Sequence, residues 1–196
     1  MNKGERTRQK LVDTTAELLQ RQGYHATGLA QIVAESGAPR GSLYFHFPGG
    51  KDELAVMALD ASSRAWRTRI DATVTAAADL GQAVEDVCKL LADDLAASHY
   101  QRGCPVAAVA LEAAATSPSV RAAVEGHYAE WADAIVARVT TAGLPRDAAK
   151  QLATFVLASI EGALLLAKVQ RSKQPLLTVG TMLRQMAAMA PRKRSR

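Results

Sequence analysis

Residues 27–54 read TGLAQIVAESGAPRGSLYFHFPGGKDEL, a pattern of two short helices joined by a tight turn. Apolar residues recur at helical spacing over 29–33 and predict an amphipathic first helix. Gly37 is expected to end it, because glycine adopts the left-handed conformation at little cost. Pro39 suits the start of a second short helix, predicted over 40–46. Such a pair predicts a helix-turn-helix, whose second helix lies in the major groove of DNA.

The second short helix has a polar face suited to DNA. Arginine reads guanine with two bonds, and hydroxyl groups suit phosphates or base edges. Glycine lets the backbone come close to the duplex, and a lysine at the start of the following helix could hold a phosphate beside free N–H groups. The DNA-binding residues predicted in this way are Arg40, Gly41, Ser42, Tyr44, His46 and Lys51.

The whole string resembles the DNA-binding segment of the TetR (tetracycline-repressor-like) family of bacterial transcription regulators. The matching positions are Gly23-Tyr24, Thr27, Ile32, Ala34, Gly37, Gly41, Ser42, Leu43, Tyr44, His46, Phe47, Lys51 and Leu54. The chain departs at Gly28, where the family usually has Ser, and at Gly49-Gly50, where it usually has one residue before the lysine. The resemblance adds Thr27 to the expected DNA contacts.

Two further segments are similar to one subgroup of that family. Residues 38–51 look like the LmrA/YxaF-like subgroup, and the run Gly103-Cys104-Pro105-Val106-Ala107 extends the likeness into its C-terminal region. The resemblance implies a repressor that small aromatic or drug-like compounds release from DNA.

Composition is consistent with a helical DNA-binding protein. The chain has 196 residues, of which 48% are hydrophobic and only 5% aromatic, and this balance favours helices over sheets. Its net charge is +5, and residues 1–51 carry seven Lys/Arg against four Asp/Glu. A basic N-terminal module suits contact with nucleic acid, although solubility alone would also account for so mild a bias.

No targeting segment is predicted. The N-terminus lacks an apolar h-region, and the longest apolar stretch, 155–169, is interrupted by polar and charged residues and is predicted to be too short to span a bilayer. Two cysteines do not make a disulfide framework. We therefore expect a cytoplasmic protein with no membrane association.

The fold class predicted is all-α, with about nine helices. A three-helix helix-turn-helix module is followed by a helical ligand-binding and dimerisation body. The predicted helices are 3–22, the two short ones, 52–75, 82–98, 105–115, 120–141, 147–172 and 175–189. The predicted domains are 1–51 for DNA binding, 52–190 for effector binding and dimerisation, and 191–196 as a basic disordered tail.

The last two predicted helices indicate how the chain assembles. The middle of 147–172 is apolar on most faces, and such a helix must be covered on most faces. Two such helices at the chain end predict a homodimeric four-helix interface.

An effector cavity is expected in the body, because the resemblance implies one and alanine-rich helices provide little bulk to fill it. Its candidate lining residues are Trp66, His99, Cys104, His127, Trp131, Phe155 and Glu161. For each of them, an ordinary core or surface role is the alternative.

Enzymatic function is not predicted. The four histidines lack metal-ligand spacing, and the chain has no nucleophile elbow, P-loop or dinucleotide fingerprint. No catalytic residue, metal or cofactor is therefore expected. The sequence predicts a homodimeric, ligand-responsive repressor that binds a palindromic DNA operator and is released by a small apolar or aromatic effector. The alternative is an architectural or constitutive DNA-binding dimer without an effector.

Overall fold

A computed structural model of the chain describes residues 2–189, so the predicted basic tail lies outside the described residues. Within them the chain forms nine helices. They are α1 (Lys3–Ala26), α2 (Leu29–Ser36), α3 (Ser42–His46), α4 (Gly50–Ala76), α5 (Leu80–Ala97), α6 (Pro105–Ala113), α7 (Pro118–Thr141), α8 (Arg146–Gln170) and α9 (Gln174–Met189). The predicted all-α class is confirmed.

The helix ends follow the predicted punctuation to within a few residues, and two of the differences have a clear local cause. Gly23, at φ 79° and ψ −174°, breaks the helical path of α1, but helical residues continue beyond it to Ala26. The second short helix begins at Ser42 rather than residue 40, because the Ser42 N–H bonds the Pro39 carbonyl (2.9 Å) and closes a turn first. Gly37 is left-handed at φ 64° and ends α2 as expected.

The helices divide into two compact units. The first unit contains the chain up to Trp66 together with Gly103–His127, and the second contains Arg67–Arg102 together with the described chain from Tyr128. The first unit thus includes α6, which lies far along the sequence from the helix-turn-helix. The functional boundary expected at residue 51 is a different kind of division and stays a prediction.

The first unit has a core built by α1, α2, α3 and the start of α4. Its buried members are Leu11, Val12, Leu18, Ile32, Ala38, Leu43, Phe47 and Leu54. Phe47 follows α3 directly, and Leu43 lies one helical turn before it. Both are almost completely buried. Because these two side chains anchor α3 from one side, the other side of this short helix is left for solvent or a ligand.

The second unit is built on a close contact between α5 and α9. A Cβ atom added at Gly180 of α9 would lie 2.9 Å from the Cys88 Cβ and 3.3 Å from the Glu85 Cα. Only glycine permits this approach. An adjoining cluster buries Ala92, Leu95, Ala163, Ala167 and Leu176, and so ties α8 to both helices.

Both α8 and α9 also present an uncovered apolar surface. Its exposed residues are Phe155, Leu165, Leu166 and Val169 on α8 and Met182, Met186 and Met189 on α9. By length and composition α8 could cross a membrane, and only 17% of its most apolar window is buried. The prediction that the apolar stretch 155–169 is too short to span a bilayer was therefore wrong, because the stretch belongs to a longer apolar helix.

Candidate DNA-binding site

The short segment 40–46, which ends with α3, contains five of the seven residues predicted to contact DNA. Arg40 and Gly41 precede the helix and are exposed, Tyr44 is exposed within it, and Ser42 and His46 are half-buried. The hydroxyl of Ser42 donates to the Pro39 carbonyl (2.6 Å), which leaves its oxygen lone pairs to accept from a partner. The arrangement presents an arginine, two hydroxyl groups and an imidazole on one short segment.

Thr27 does not share that surface. Its side chain is completely buried, and its hydroxyl donates to the Gly23 carbonyl (2.6 Å) while its N–H bonds the Tyr24 carbonyl. The threonine therefore closes the end of α1, and its side chain is committed inside the module. The expectation that Thr27 contacts DNA is corrected on this ground.

Lys51 is only partly available to a phosphate. Its ammonium lies 4.2 Å from the centre of the Tyr24 ring, a distance suited to a cation–π interaction. Burial lowers the pKa of Lys51, and the nearby carboxylates of Asp52 and Glu112 oppose that shift. The lysine stands in the first turn of α4, as predicted, but it also belongs to a polar cluster that the sequence did not reveal.

That polar cluster is centred on Asp52 and joins α1, α4 and α7 within the first unit. The Tyr24 hydroxyl donates to one carboxylate oxygen of Asp52, and the Ser117 hydroxyl donates to the other at 2.5 Å. The hydrogen bonds from Ser117 and then Tyr24 lower the pKa of Asp52. Burial is the main cause that raises the pKa of Tyr24, and the bond to Asp52 adds to it. The cluster of Tyr24, Lys51, Asp52 and Ser117 is called the Asp52 cluster below.

A second polar contact ties α6 to the end of α1. The Glu112 carboxylate accepts the backbone N–H of His25 at 2.6 Å, and the His25 ring nitrogen Nε2 lies 3.0 Å from the Glu112 carbonyl oxygen. A Cβ at Gly23 would come within 2.1 Å of a Glu112 carboxylate oxygen. Gly23 therefore leaves the room that the Glu112 side chain of α6 occupies. The helix-turn-helix module, called the reading module below, is thus packed against a helix that follows it by about eighty residues.

Three of the expected pocket residues lie in the first unit. Trp66 is half-buried, and Cys104 accepts the Ala107 N–H (3.4 Å) with its sulfur and caps α6. His127 is buried, with its Nε2 3.1 Å from an Asp60 carboxylate oxygen. These positions give Cys104 and His127 structural partners within their own unit.

The other four expected pocket residues lie in the second unit, where two of them are brought together. The Trp131 ring meets the Tyr128 ring edge-on at 5.3 Å, and the Tyr128 hydroxyl donates to Glu161 at 3.4 Å. Phe155 is exposed on α8, and His99 is exposed in the turn after α5. Tyr128, which sequence reasoning left out of the site, therefore links Trp131 to Glu161.

Sequence reasoning also missed Phe45, Asp52, Glu112 and Ser117. Helical spacing contained the signal for Phe45, because a residue midway between the inward Leu43 and Phe47 faces outward. No local pattern marks the other three, since each is defined by a partner distant in sequence.

The helix-turn-helix with its exposed polar segment, on a larger helical chain, is the architecture of a DNA-binding regulator of transcription. Comparison with known proteins gives the family. Residues 11–57 match the model for bacterial regulatory proteins of the tetR family, and residues 81–182 match the C-terminal domain of LmrA/YxaF-like transcriptional regulators. The chain belongs to the TetR family, and the resemblance seen in the sequence is confirmed.

Individual relatives are similar over most of their length. The chain is 35% identical to the HTH-type transcriptional regulator LmrA of Bacillus subtilis, covering 89% of this chain and 93% of that one. It is also 35% identical to the regulator YxaF of the same organism, covering 88% and 91%. The crystal structure of a TetR transcriptional regulator from Chloroflexus aurantiacus superposes with a TM-score of 0.81 at 26% identity, covering 96% of this chain and 98% of that one.

Proposed function

We propose that this chain is a homodimeric, ligand-responsive repressor of the bacterial cytoplasm that binds a palindromic operator. Residues 1–51 form the reading domain, and 52–190 form the effector-binding and dimerisation domain. The observation that carries the proposal is the uncovered apolar surface of α8 and α9 in a chain that also holds a helix-turn-helix. One reading helix recognises one half-site, and a two-fold dimer recognises a palindrome.

Dimerisation is supported by the chemistry of that surface. Exposed leucine, valine, phenylalanine and methionine side chains on two adjacent helices are costly in water. A second copy related by two-fold symmetry covers the same surface with itself. In this proposal, the apolar character of α8 serves contact between two copies of the protein rather than contact with a membrane.

The operator contacts we propose are Arg40, Gly41, Ser42, Tyr44, His46 and Lys51. Arg40 and Tyr44 are exposed and reach outward from the α3 segment, so they are assigned to base edges and adjacent phosphates. Lys51 is assigned to a phosphate at the start of α4, where its charge adds to the positive end of the helix dipole. No metal or cofactor is needed for this mode of binding.

Effector binding is proposed around Tyr128, Trp131 and Glu161. Two aromatic rings, set at 82° to each other, offer apolar contact surface, and the carboxylate at the Tyr128 hydroxyl offers one polar group to orient a ligand. An effector that prefers a conformation with the wrong half-site separation releases the operator, and operator binding weakens the effector reciprocally. The Asp52 cluster and the Glu112–His25 contact provide polar links through which α6 and α7 can act on the reading module.

The test combines a compound screen with DNA binding. Flat aromatic compounds are screened by thermal shift, because a ligand that binds the folded chain raises its melting temperature. A hit is expected to weaken operator binding in a fluorescence anisotropy titration. Trp131→Ala should reduce that response by at least about tenfold in effector concentration while leaving ligand-free operator affinity near wild type, and Trp131→Phe should retain most of it.

The same titrations distinguish this proposal from the alternative. If specific DNA binding is found but no stabilising compound changes it, the ligand-gated mechanism fails and an architectural or constitutive DNA-binding dimer is supported instead. If an operator placed over a promoter lowers reporter expression and the compound restores it, repression is supported directly.

A further inference from the structure

Phe45 is an exposed apolar side chain at the centre of the reading helix. It is 79% exposed, more than its neighbour Tyr44 at 64%, while Leu43 and Phe47 on either side are 1% and 0% exposed. A folded chain ordinarily recovers the cost of a phenylalanine in water by burying it. In the first unit the only other large apolar side chain so exposed among the described residues is Leu111.

The ring of Phe45 is held by its neighbour. The His46 ring meets it edge-on, with 5.0 Å between the ring centres and 79° between the planes. His46 in turn lies 6.4 Å from the ring of the buried Phe47, so the pair is connected to the core of the first unit. The aromatic side chain is thus supported on the short segment where Arg40 and Tyr44 are also exposed.

Phenylalanine has neither a hydrogen-bond donor nor an acceptor, so it cannot read the polar pattern of a base edge. The one apolar feature that a base presents in the major groove is the C5-methyl group of thymine, and phenylalanine is among the side chains that contact it. Since a helix-turn-helix places its second helix in that groove, Phe45 is the residue on α3 chemically matched to a methyl group.

We propose that Phe45 is a specificity-determining residue that reads thymine in each operator half-site through the C5-methyl group. Arg40, Tyr44 and His46 supply polar readout, and Phe45 supplies preference for thymine over cytosine at one base pair or at two adjacent ones. This inference rests on the DNA-binding function proposed above and adds one base-reading contact to it.

The experiment is a methyl scan of the operator. The wild-type chain first selects its operator from random duplexes, and each thymine of one half-site is then replaced in turn by deoxyuracil, which pairs identically and lacks only the methyl group. At one or two positions the wild-type dissociation constant should rise about fourfold, the effect of losing one buried methyl-sized group. All titrations use one salt concentration, because DNA affinity depends on salt.

Three variants make the scan specific. Phe45→Ala should bind the thymine operator more weakly and should no longer distinguish thymine from deoxyuracil at the sensitive positions. Phe45→Leu, which keeps apolar surface, should retain part of the distinction. Leu111→Ala removes an equally exposed apolar side chain from α6 and should behave as wild type.

Several results overturn the inference. A wild-type scan without a sensitive position does so, as does a Phe45→Ala variant that keeps the full wild-type sensitivity. Equal loss of affinity for operator and random DNA in Phe45→Ala would assign the ring to the sugar–phosphate backbone or to a wedge between base steps. A wild-type chain that selects no sequence overturns the operator proposal together with this inference, whereas the preceding results leave the operator proposal intact.

Discussion

At the scale of single residues, Asp52 shows how one carboxylate joins the reading module to the chain that follows it. It accepts hydroxyl groups from Tyr24, beyond the kink in α1, and from Ser117, at the start of α7. Ser117 also accepts the Val120 N–H at 3.2 Å, so the same hydroxyl caps α7. Loss of the Asp52 charge therefore affects two elements at once.

Asp52→Asn is expected to lower the free energy of unfolding at pH 7 by about 1–3 kcal/mol, because bonds to a charged acceptor are replaced by weaker ones at a partly exposed site. The pKa of Asp52 is lowered in the folded chain from its ordinary value of 3.8. Its contribution is therefore complete above the unfolded pKa and is lost as pH falls through the folded one. Urea unfolding at pH 7 and at pH values below 3.8 measures the difference between wild type and variant, which should narrow in acid.

Asp133→Asn is the matched control for that comparison, since Asp133 is exposed on α7. It should change stability by less than about 0.5 kcal/mol at either pH. A constant difference between wild type and Asp52→Asn across the acid range would show that charge at Asp52 is not what stabilises the cluster.

At the scale of elements, α3 gives a direct test of DNA contact. Arg40→Ala and Tyr44→Ala should each weaken operator binding by about 1–3 kcal/mol without altering the melting temperature by more than a degree or two, because both side chains are exposed. Anisotropy titrations at matched salt measure the effect. Arg121→Ala, which removes an exposed arginine from α7 in the same unit, is the control for lost charge. Equal affinity of wild type and Tyr44→Ala would remove Tyr44 from the contacts.

Lys51→Ala tests a different kind of contact. A phosphate contact should weaken all sequences alike and reduce the slope of log K against log salt by about one unit. Because the Lys51 ammonium also lies over the Tyr24 ring, the variant should lose some stability as well. Lys51→Arg, which keeps the charge and the cation–π contact, should preserve the salt slope.

The close approach of α5 and α9 provides the second element-scale prediction. Gly180→Ala places a methyl group against the Cys88 Cβ and the α5 backbone and should destabilise the chain by about 1–3 kcal/mol. Gly126→Ala, in α7, meets no atom within 4 Å and should stabilise by up to about 1 kcal/mol through helix propensity. Denaturant unfolding of both variants measures the contrast. Equal effects at the two glycines would mean that α5 and α9 separate easily.

Element type was predictable here because helical signals are local. Apolar spacing, Gly37 and the prolines marked the helices within a few residues of where they lie. The outward face of α3 was equally predictable from the sequence, since Leu43 and Phe47 determine which side is buried. The burial of Thr27 and the packing of Lys51 on Tyr24 were not predictable. Both depend on how the residues after the kink at Gly23 pack against the start of α4. The partners of Asp52 and Gly23 in α7 and α6 are separated from them by long stretches of sequence.

At the scale of the whole molecule, the proposed dimer can be tested without disturbing a single copy. Val169→Glu changes an exposed position on α8, so one copy should fold normally. A two-fold interface would bury the new carboxylate and its symmetry mate, and the dimer dissociation constant should rise at least about 100-fold. Sedimentation measures the change, and Leu111→Glu, at an exposed position of α6, is the control. A dimer unaffected by Val169→Glu would place the interface elsewhere.

Deleting the chain from Gln174 is a less specific test of assembly. Leu176 and Leu183 of α9 are buried, and Leu176 packs with Leu95 and Ala167 in the core of the second unit. The deletion therefore removes part of that core, and aggregation of the truncated chain would follow from unfolding alone. The substitution on α8 avoids this ambiguity.

The uncovered surface of α8 also bears on how long the protein survives in a cell. In the proposed dimer, a newly made copy would display this surface until it paired with another, and exposed apolar surface is what chaperones and proteases recognise. Solitary copies would then be degraded faster than paired ones, so the half-life of a dimeric regulator would rise with its own abundance. At low gene dosage the concentration of the protein would fall more steeply than its rate of synthesis. Expression from the regulated promoter would then change sharply rather than in proportion to gene dosage.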